Sequence, residues 1–217
     1  MRNRFDRQLA QLGEELIEMG AKCENAIATA TKAMLEQDEQ MIRDTIAAEL
    51  EIDRMENSIE TLCMRLLLQQ QPVARDLRLI SAALKMITDM ERIGDQAADI
   101  AEIVSMAKNG VDYKIPYIEE MARAAVSMVT DSVEAFVKKD LEMARGVIEY
   151  DDRVDELFDR VRDEIVELLK TDKQAGEYAL DLLMIAKYFE RIGDHATNIA
   201  EWVEYSITGV HRSGEHP

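Results

Sequence analysis

Glu91 and Asp95 stand four residues apart, and Glu190 and Asp194 repeat that spacing inside an identical phrase. Glu91-Arg92-Ile93-Gly94-Asp95 returns as Glu190-Arg191-Ile192-Gly193-Asp194. The match runs on through Ala97/Ala196, Ile100/Ile199, Ala101/Ala200, Glu102/Glu201 and Val104/Val203, making 10 of the 14 positions from Glu91 to Val104 identical at a constant offset of 99. Two more pairs, Glu49 with Asp53 and Asp151 with Asp155, precede the two phrases. Residues four apart share a helix face with Cβ atoms about 5–6 Å apart, and like charges placed so cost about 0.2–0.5 kcal/mol. Basic partners four residues on are mostly missing. Carboxylates at this spacing can bind or bridge hard or borderline cations at about 2.0–2.2 Å. An all-oxygen set admits magnesium, calcium, manganese, iron or zinc. The bland alternative is a solvated acidic face, and four pairs in equivalent places of two repeats weigh against it.

On a helical wheel Glu91, Asp95, Asp99 and Glu102 fall within an arc of about 80°, facing away from the stripe of Ile93, Ala97, Ile100 and Val104. Glu190, Asp194 and Glu201 do the same, with Asn198 standing where the first copy has Asp99. Gly94 and Gly193 each cost a helix interior about 1 kcal/mol against alanine, and close helix–helix packing is the commoner reason to keep them. Arg92 and Arg191 read as salt-bridge partners across a bundle. His195 has Gln96 as its counterpart and reads as an ordinary helix residue.

These pairs need long helices to carry them, and the pattern supplies six. Phe5, Leu9, Leu12, Leu16, Met19, Cys23 and Ile27 recur at spacings of three and four along a helix from about Arg4 to Gln37. Asp38 can cap a second helix bearing Ile52, Met55, Ile59, Leu62 and Leu66, which Pro72 stops. A third runs from near Pro72 to Asn109-Gly110. The second half repeats the plan with helices over about Tyr117–Lys138, from the Asp140 cap to about Thr171, and from about Lys173 to Thr208. An internal repeat of this size predicts an all-α fold of two tandem three-helix bundles, six long antiparallel helices in all. The expected organisation is a first repeat over 1–109, a linker over 110–116, a second repeat over 117–209 and a mobile tail over 210–217.

Composition narrows the function classes. Only 9 Gly and 3 Pro among 217 residues agree with long helices. A net charge of −18 opposes phosphate backbones and favours cations or basic proteins, and no basic patch is visible along the chain. No apolar run is long enough to span a membrane, and Met-Arg-Asn-Arg-Phe-Asp leads into charged helix with no apolar signal region, so the expected address is the cytoplasm. Cys23 and Cys63 read as buried, reduced thiols.

The sequence resembles the PhoU family, regulators associated with the phosphate-specific transport system. The resemblance rests on Gln71-Pro72-Val73-Ala74-Arg75-Asp76-Leu77-Arg78, on Met90-Glu91-Arg92-Ile93-Gly94-Asp95, and on the second-half echo from Phe189 to Glu201. The Pro72 to Arg78 motif is not reproduced in the second half, where Lys173 to Asp181 stands instead. The likeness implies two three-helix bundles and multinuclear metal clusters of iron or zinc. It assigns Glu49, Asp53, Glu91 and Asp95, with Asp99, to the first cluster. Asp151, Asp155, Glu190 and Asp194 form the second, which Asn198 would leave with fewer or weaker-held ions. It further implies a cytoplasmic negative regulator of phosphate uptake, an adaptor between the transporter ATPase subunit and a sensor histidine kinase, working as a homodimer and not as an enzyme. The alternatives from other classes are a purely structural helical scaffold and a carboxylate-bridged metalloenzyme. The latter lacks the Glu-x-x-His pairs that a ferritin-like site needs.

Overall fold

The computed structural model describes residues 2–69, 72–106 and 116–210. Six helices run in chain order: α1 Arg2–Glu36, α2 Glu39–Gln69, α3 Ala74–Met106, α4 Pro116–Lys138, α5 Leu141–Thr171 and α6 Gly176–Thr208. Residues 110–115 of the expected linker, 211–217 of the expected tail, and the Asn109-Gly110 stop lie outside the described residues. Among the described residues no helix is long and apolar enough to cross a membrane.

The turn between the first and second helices is built alike in the two halves. Gln37 and Lys139 both take a positive φ (52° and 55°), each just before an aspartate that caps the next helix. The Asp38 carboxylate accepts from the Gln40 and Met41 N–H groups at 2.7 and 3.0 Å, and Asp140 from Met143 N–H at 3.0 Å. Each carboxylate satisfies backbone donors that a helix start leaves unpaired. Helix α6 starts three residues later than expected because Asp172 folds the chain into a turn, its side chain accepting from Gln174 N–H at 2.9 Å. Gly209, at φ 78°, ends α6 with its N–H on Tyr205 O, the left-handed closure that glycine makes without steric cost.

Helices α1, α2 and α3 pack on one another, as do α4, α5 and α6, and the two triplets meet where α3 lies on α6 and α1 on α4. The expected stripe of α1 is inside: Leu12, Leu16, Met19, Cys23 and Ile27 are fully buried, Leu9 half-buried. Burying such a side chain stabilises the fold by about 1.5–3 kcal/mol. The core is continuous through all six helices, from Phe5 to Val203, with one small satellite of Ala33, Ile42 and Ala101. Both cysteines are free and buried, their thiols pushed up to about 12 chiefly by that burial.

Helix register follows from cross-helix contacts. Lys22 pairs with Glu51 at 2.5 Å between antiparallel α1 and α2, and Cys23 Sγ meets Met90 O at 3.4 Å between parallel α1 and α3. Asp89 meets Asn198, and Arg78 lies against Gly209, along antiparallel α3 and α6.

Candidate functional site

Both glycines of the doubled phrase are packing glycines. A Cβ on Gly94 would stand 3.0 Å from Ile52 Cδ1, and one on Gly193 would stand 3.4 Å from Val154 Cγ1. Each lets α3 close on α2, or α6 on α5, at the level where the acid pairs sit. Glu49 and Asp53 flank Ile52 and face Glu91 and Asp95, while Asp151 and Asp155 flank Val154 and face Glu190 and Asp194. The result is an acidic groove in each repeat.

In the first groove, burial, then the charges of Asp53, Asp95 and Glu102, push Glu49 above the usual carboxylate range. Burial and then Asp95 raise Glu91, against the lowering effect of Arg92. Glu56 and Glu102 also belong to this set, though only the α3 stripe hinted at Glu102. Arg92 does not reach across the bundle as expected. It stays on its own helix, with Nη1 3.0 Å from Asp95 Oδ2 and Nε 3.4 Å from Glu91 Oε2. The cation absent four residues on is supplied by a neighbour and by an i,i+3 pair.

In the second groove the four acids act on one another more strongly. Burial, then Asp194, Asp155 and Glu190, push Asp151 up to about 6. Burial and then Glu190 raise both Asp155 and Asp194. Lys187 Nζ lies 2.5 Å from both oxygens of Glu190, yet only the contact to Oε1 has hydrogen-bond geometry. Glu190 Oε2 is buried with the Lys187 ammonium as its ion-pair partner, and the Thr197 hydroxyl beside Asp151 partly offsets the rise of that carboxyl.

Asp99 stands where the first groove meets the other repeat. Burial raises its pKa first, followed by Glu102 and Asp95, while Arg191 and a hydrogen bond from Tyr188, both on α6, lower it. His195, read as an ordinary helix residue, lies on the seam between the repeats: its Nδ1 is 2.9 Å from Asp89 Oδ1, which also accepts from Asn198 Nδ2 at 3.2 Å. The offset of 99 carries Asp89 to Tyr188 and Asp99 to Asn198. The Asp99–Tyr188 and Asn198–Asp89 contacts are therefore one contact written twice about a pseudo-two-fold axis, and Asn198 is a seam residue as well as a lost acid.

The structure thus brings together Glu49, Asp53, Glu91 and Asp95, and separately Asp151, Asp155, Glu190 and Asp194. Among the described residues, no group of three or more His, Cys, Asp or Glu is set to hold a metal ion. The donor chemistry still fits an oxygen-bound cation, most clearly in the second groove, where Asp194, Asp155 and Glu190 crowd Asp151 and help push it up to about 6. An ion there would supply positive charge between α5 and α6.

Fold and grooves define a class: duplicated three-helix-bundle proteins with an acidic groove between the second and third helices of each copy. Both copies match the model of the PhoU domain, over residues 16–104 and 118–203. The phosphate-specific transport system accessory protein PhoU homolog of Clostridium acetobutylicum is 38% identical over 207 residues, 94% of either chain. The crystal structure of PhoU from Pseudomonas aeruginosa superposes with a TM-score of 0.88 at 32% identity, covering 95% of this chain and 100% of that one. That of the phosphate transport system regulatory protein PhoU from Streptococcus pneumoniae does so at 0.88 and 27%, covering 95% and 98%. The chain belongs to the PhoU family.

Proposed function

We propose that this protein is an accessory regulator of phosphate uptake, a non-enzymatic cytoplasmic adaptor that restrains the phosphate-starvation response. It works by contacts, with the transporter ATPase subunit on one side and a sensor histidine kinase on the other, as a homodimer. The observation that carries this reading is a likeness spanning both repeats, to a relative named as an accessory protein of phosphate-specific transport. Deleting the gene tests it. Phosphate uptake and a phosphate-starvation reporter should rise in phosphate-replete medium, and unchanged values of both would refute it.

Iron or zinc in the two grooves is the metal part of the proposal. Glu49, Asp53, Glu91 and Asp95, with Asp99 beside them, hold the first set, and Asp151, Asp155, Glu190 and Asp194 the second. Neutralising the crowded carboxylates stiffens each helix pair and so adjusts affinity for a partner. Elemental analysis of protein purified without chelator should find bound metal that Asp95→Ala and Asp194→Ala reduce. Metal-free protein that binds the ATPase subunit as well as metal-loaded protein does would remove this part alone.

A second reading, acidic grooves that act without metal, is favoured by Arg92 and Lys187, which already offset charge on Glu91, Asp95 and Glu190. The same elemental analysis separates the two.

A further inference from the structure

One end of the first bundle reverses the charge of the rest of the chain. Arg4 and Arg7 open α1, Arg65 lies in the last turns of α2, and Arg75 and Arg78 lie in the first turns of α3. The register of Lys22 on Glu51, carried back fifteen residues, sets Arg7 level with Leu66. The register of Cys23 on Met90, carried back sixteen, sets Arg7 level with Ala74. Asp6 and Asp76 are the acids in these same turns, against five guanidinium groups, on a chain whose net charge is −18.

The same tip is apolar between its charges. Leu68 is 79% exposed and Val73 65%, with Leu77 exposed beside them. Val210 follows Gly209, which lies against Arg78, and is exposed as well. Fold maintenance does not account for such side chains at a tip.

The second repeat offers an internal control, because its tip lies at the other end of the molecule. The capping aspartates of α2 and α5 are related by an offset of 102, and α3 and α6 by 99. These offsets carry Arg65 to Glu167, Leu68 to Lys170, Arg75 to Gln174 and Arg78 to Glu177. Duplication alone does not produce an arginine-and-leucine tip. It is particular to the first copy, and it is built from the Pro72 to Arg78 motif that the second copy lacks.

We propose that the tip formed by Arg4, Arg65, Arg75 and Arg78 with Leu68 and Leu77 docks an acidic, amphipathic segment of a protein partner. Carboxylates of the segment meet the guanidinium forks, and its apolar face covers the leucines. Exposed Asp6 and half-buried Asp76 stand among the arginines and disfavour a broad anionic surface such as a bilayer, which faces them together with the guanidinium groups. A single segment sets its carboxylates on the arginines and leaves Asp6 uncovered. The inference does not rest on the phosphate reading, since it uses only charge, exposure and the contrast between repeats.

The test is fluorescence anisotropy with the full chain and a labelled helical peptide bearing Glu on one face and Leu on the other. Its counterpart with Lys for Glu and vesicles of phosphatidylglycerol are the comparison probes. The acidic peptide should bind, and Arg65→Glu with Arg75→Glu, both at exposed positions, should weaken it at least tenfold. Leu68→Ser with Leu77→Ser should weaken it at least threefold at unchanged salt dependence, which a purely electrostatic attraction does not produce. The Lys-bearing peptide should recover binding on the Arg-to-Glu variant. Equal affinity for acidic and basic peptides, indifference to either pair of substitutions, or stronger binding to the vesicles than to the acidic peptide overturns the proposal.

Discussion

The two acidic grooves come from the same pattern and do not behave alike. Around Gly94 the carboxylates are spread over six residues, and Arg92 stands against two of them. Around Gly193 six carboxylates also interact, Asp152 and Asp159 joining the four, but here Asp151 is pushed up to about 6 and the cation Lys187 pairs with Glu190 alone among the four. Duplication preserved the helix faces, while the side chains one turn away set the electrostatics. A repeat therefore predicts where charges collect better than how strongly they repel.

The largest effect expected from this contrast is that of a divalent ion. A ligand at a hundred times its dissociation constant stabilises the state that binds it by about 2.7 kcal/mol. Zinc added to chelator-treated protein at pH 7.5 should raise the unfolding temperature, and Asp151→Asn with Asp194→Asn should remove more of that rise than Asp53→Asn with Asp95→Asn. Equal losses would erase the difference between grooves.

The seam comes next. Asp89→Ala removes the acceptor of both His195 and Asn198, leaving two half-buried polar groups unmatched, at a cost of about 2 kcal/mol in urea unfolding. Asp99→Ala, at the symmetry-related contact, should cost less, because burial and the Glu102 and Asp95 charges already oppose its ionised form.

For pH, the Asp151 carboxyl titrates near 6 in the folded chain and near 3.9 when unfolded. A pKa raised by folding contributes stability that is complete below the unfolded value and is lost as pH rises through the folded one. Metal-free protein should therefore lose stability between about pH 4 and pH 7. Asp151→Asn should stabilise it by about 1–2 kcal/mol at pH 7.5, after allowance for solvent screening, and by nothing near pH 4. Glu49→Gln should act in the same direction with smaller amplitude.

The smallest effect separates the glycines. Alanine gains about 1 kcal/mol of helix propensity at either position. At 94 the new methyl meets stiff, β-branched Ile52 at 3.0 Å, whereas at 193 it meets Val154 at 3.4 Å, an ordinary contact. Gly193→Ala should raise the unfolding temperature, and Gly94→Ala should leave it level or lower it.

Much of this was legible along the chain. Apolar residues at spacings of three and four located the helices of the first half and the repeat located those of the second, Asp38 and Asp140 announced their caps, and the doubled phrase marked both grooves. These are local signals, carried within one helix or one turn. The Asp89–His195 contact and the arginine tip were not legible, because each joins segments far apart in sequence whose relative height depends on register. The one available hint for the seam was that Asp99 and Asn198 differ at equivalent positions.

By itself, then, the sequence determined the helices, their duplication and the faces on which carboxylates collect, since backbone periodicity alone converts spacing into direction. Only the tertiary structure decided which charges meet. It set Arg92 on its own helix, sent Arg191 toward Asp99, and gathered five arginines from three helices at one end. Those outcomes depend on the height at which one helix slides against another, and side-chain packing at contacts such as Gly94 on Ile52 fixes that height.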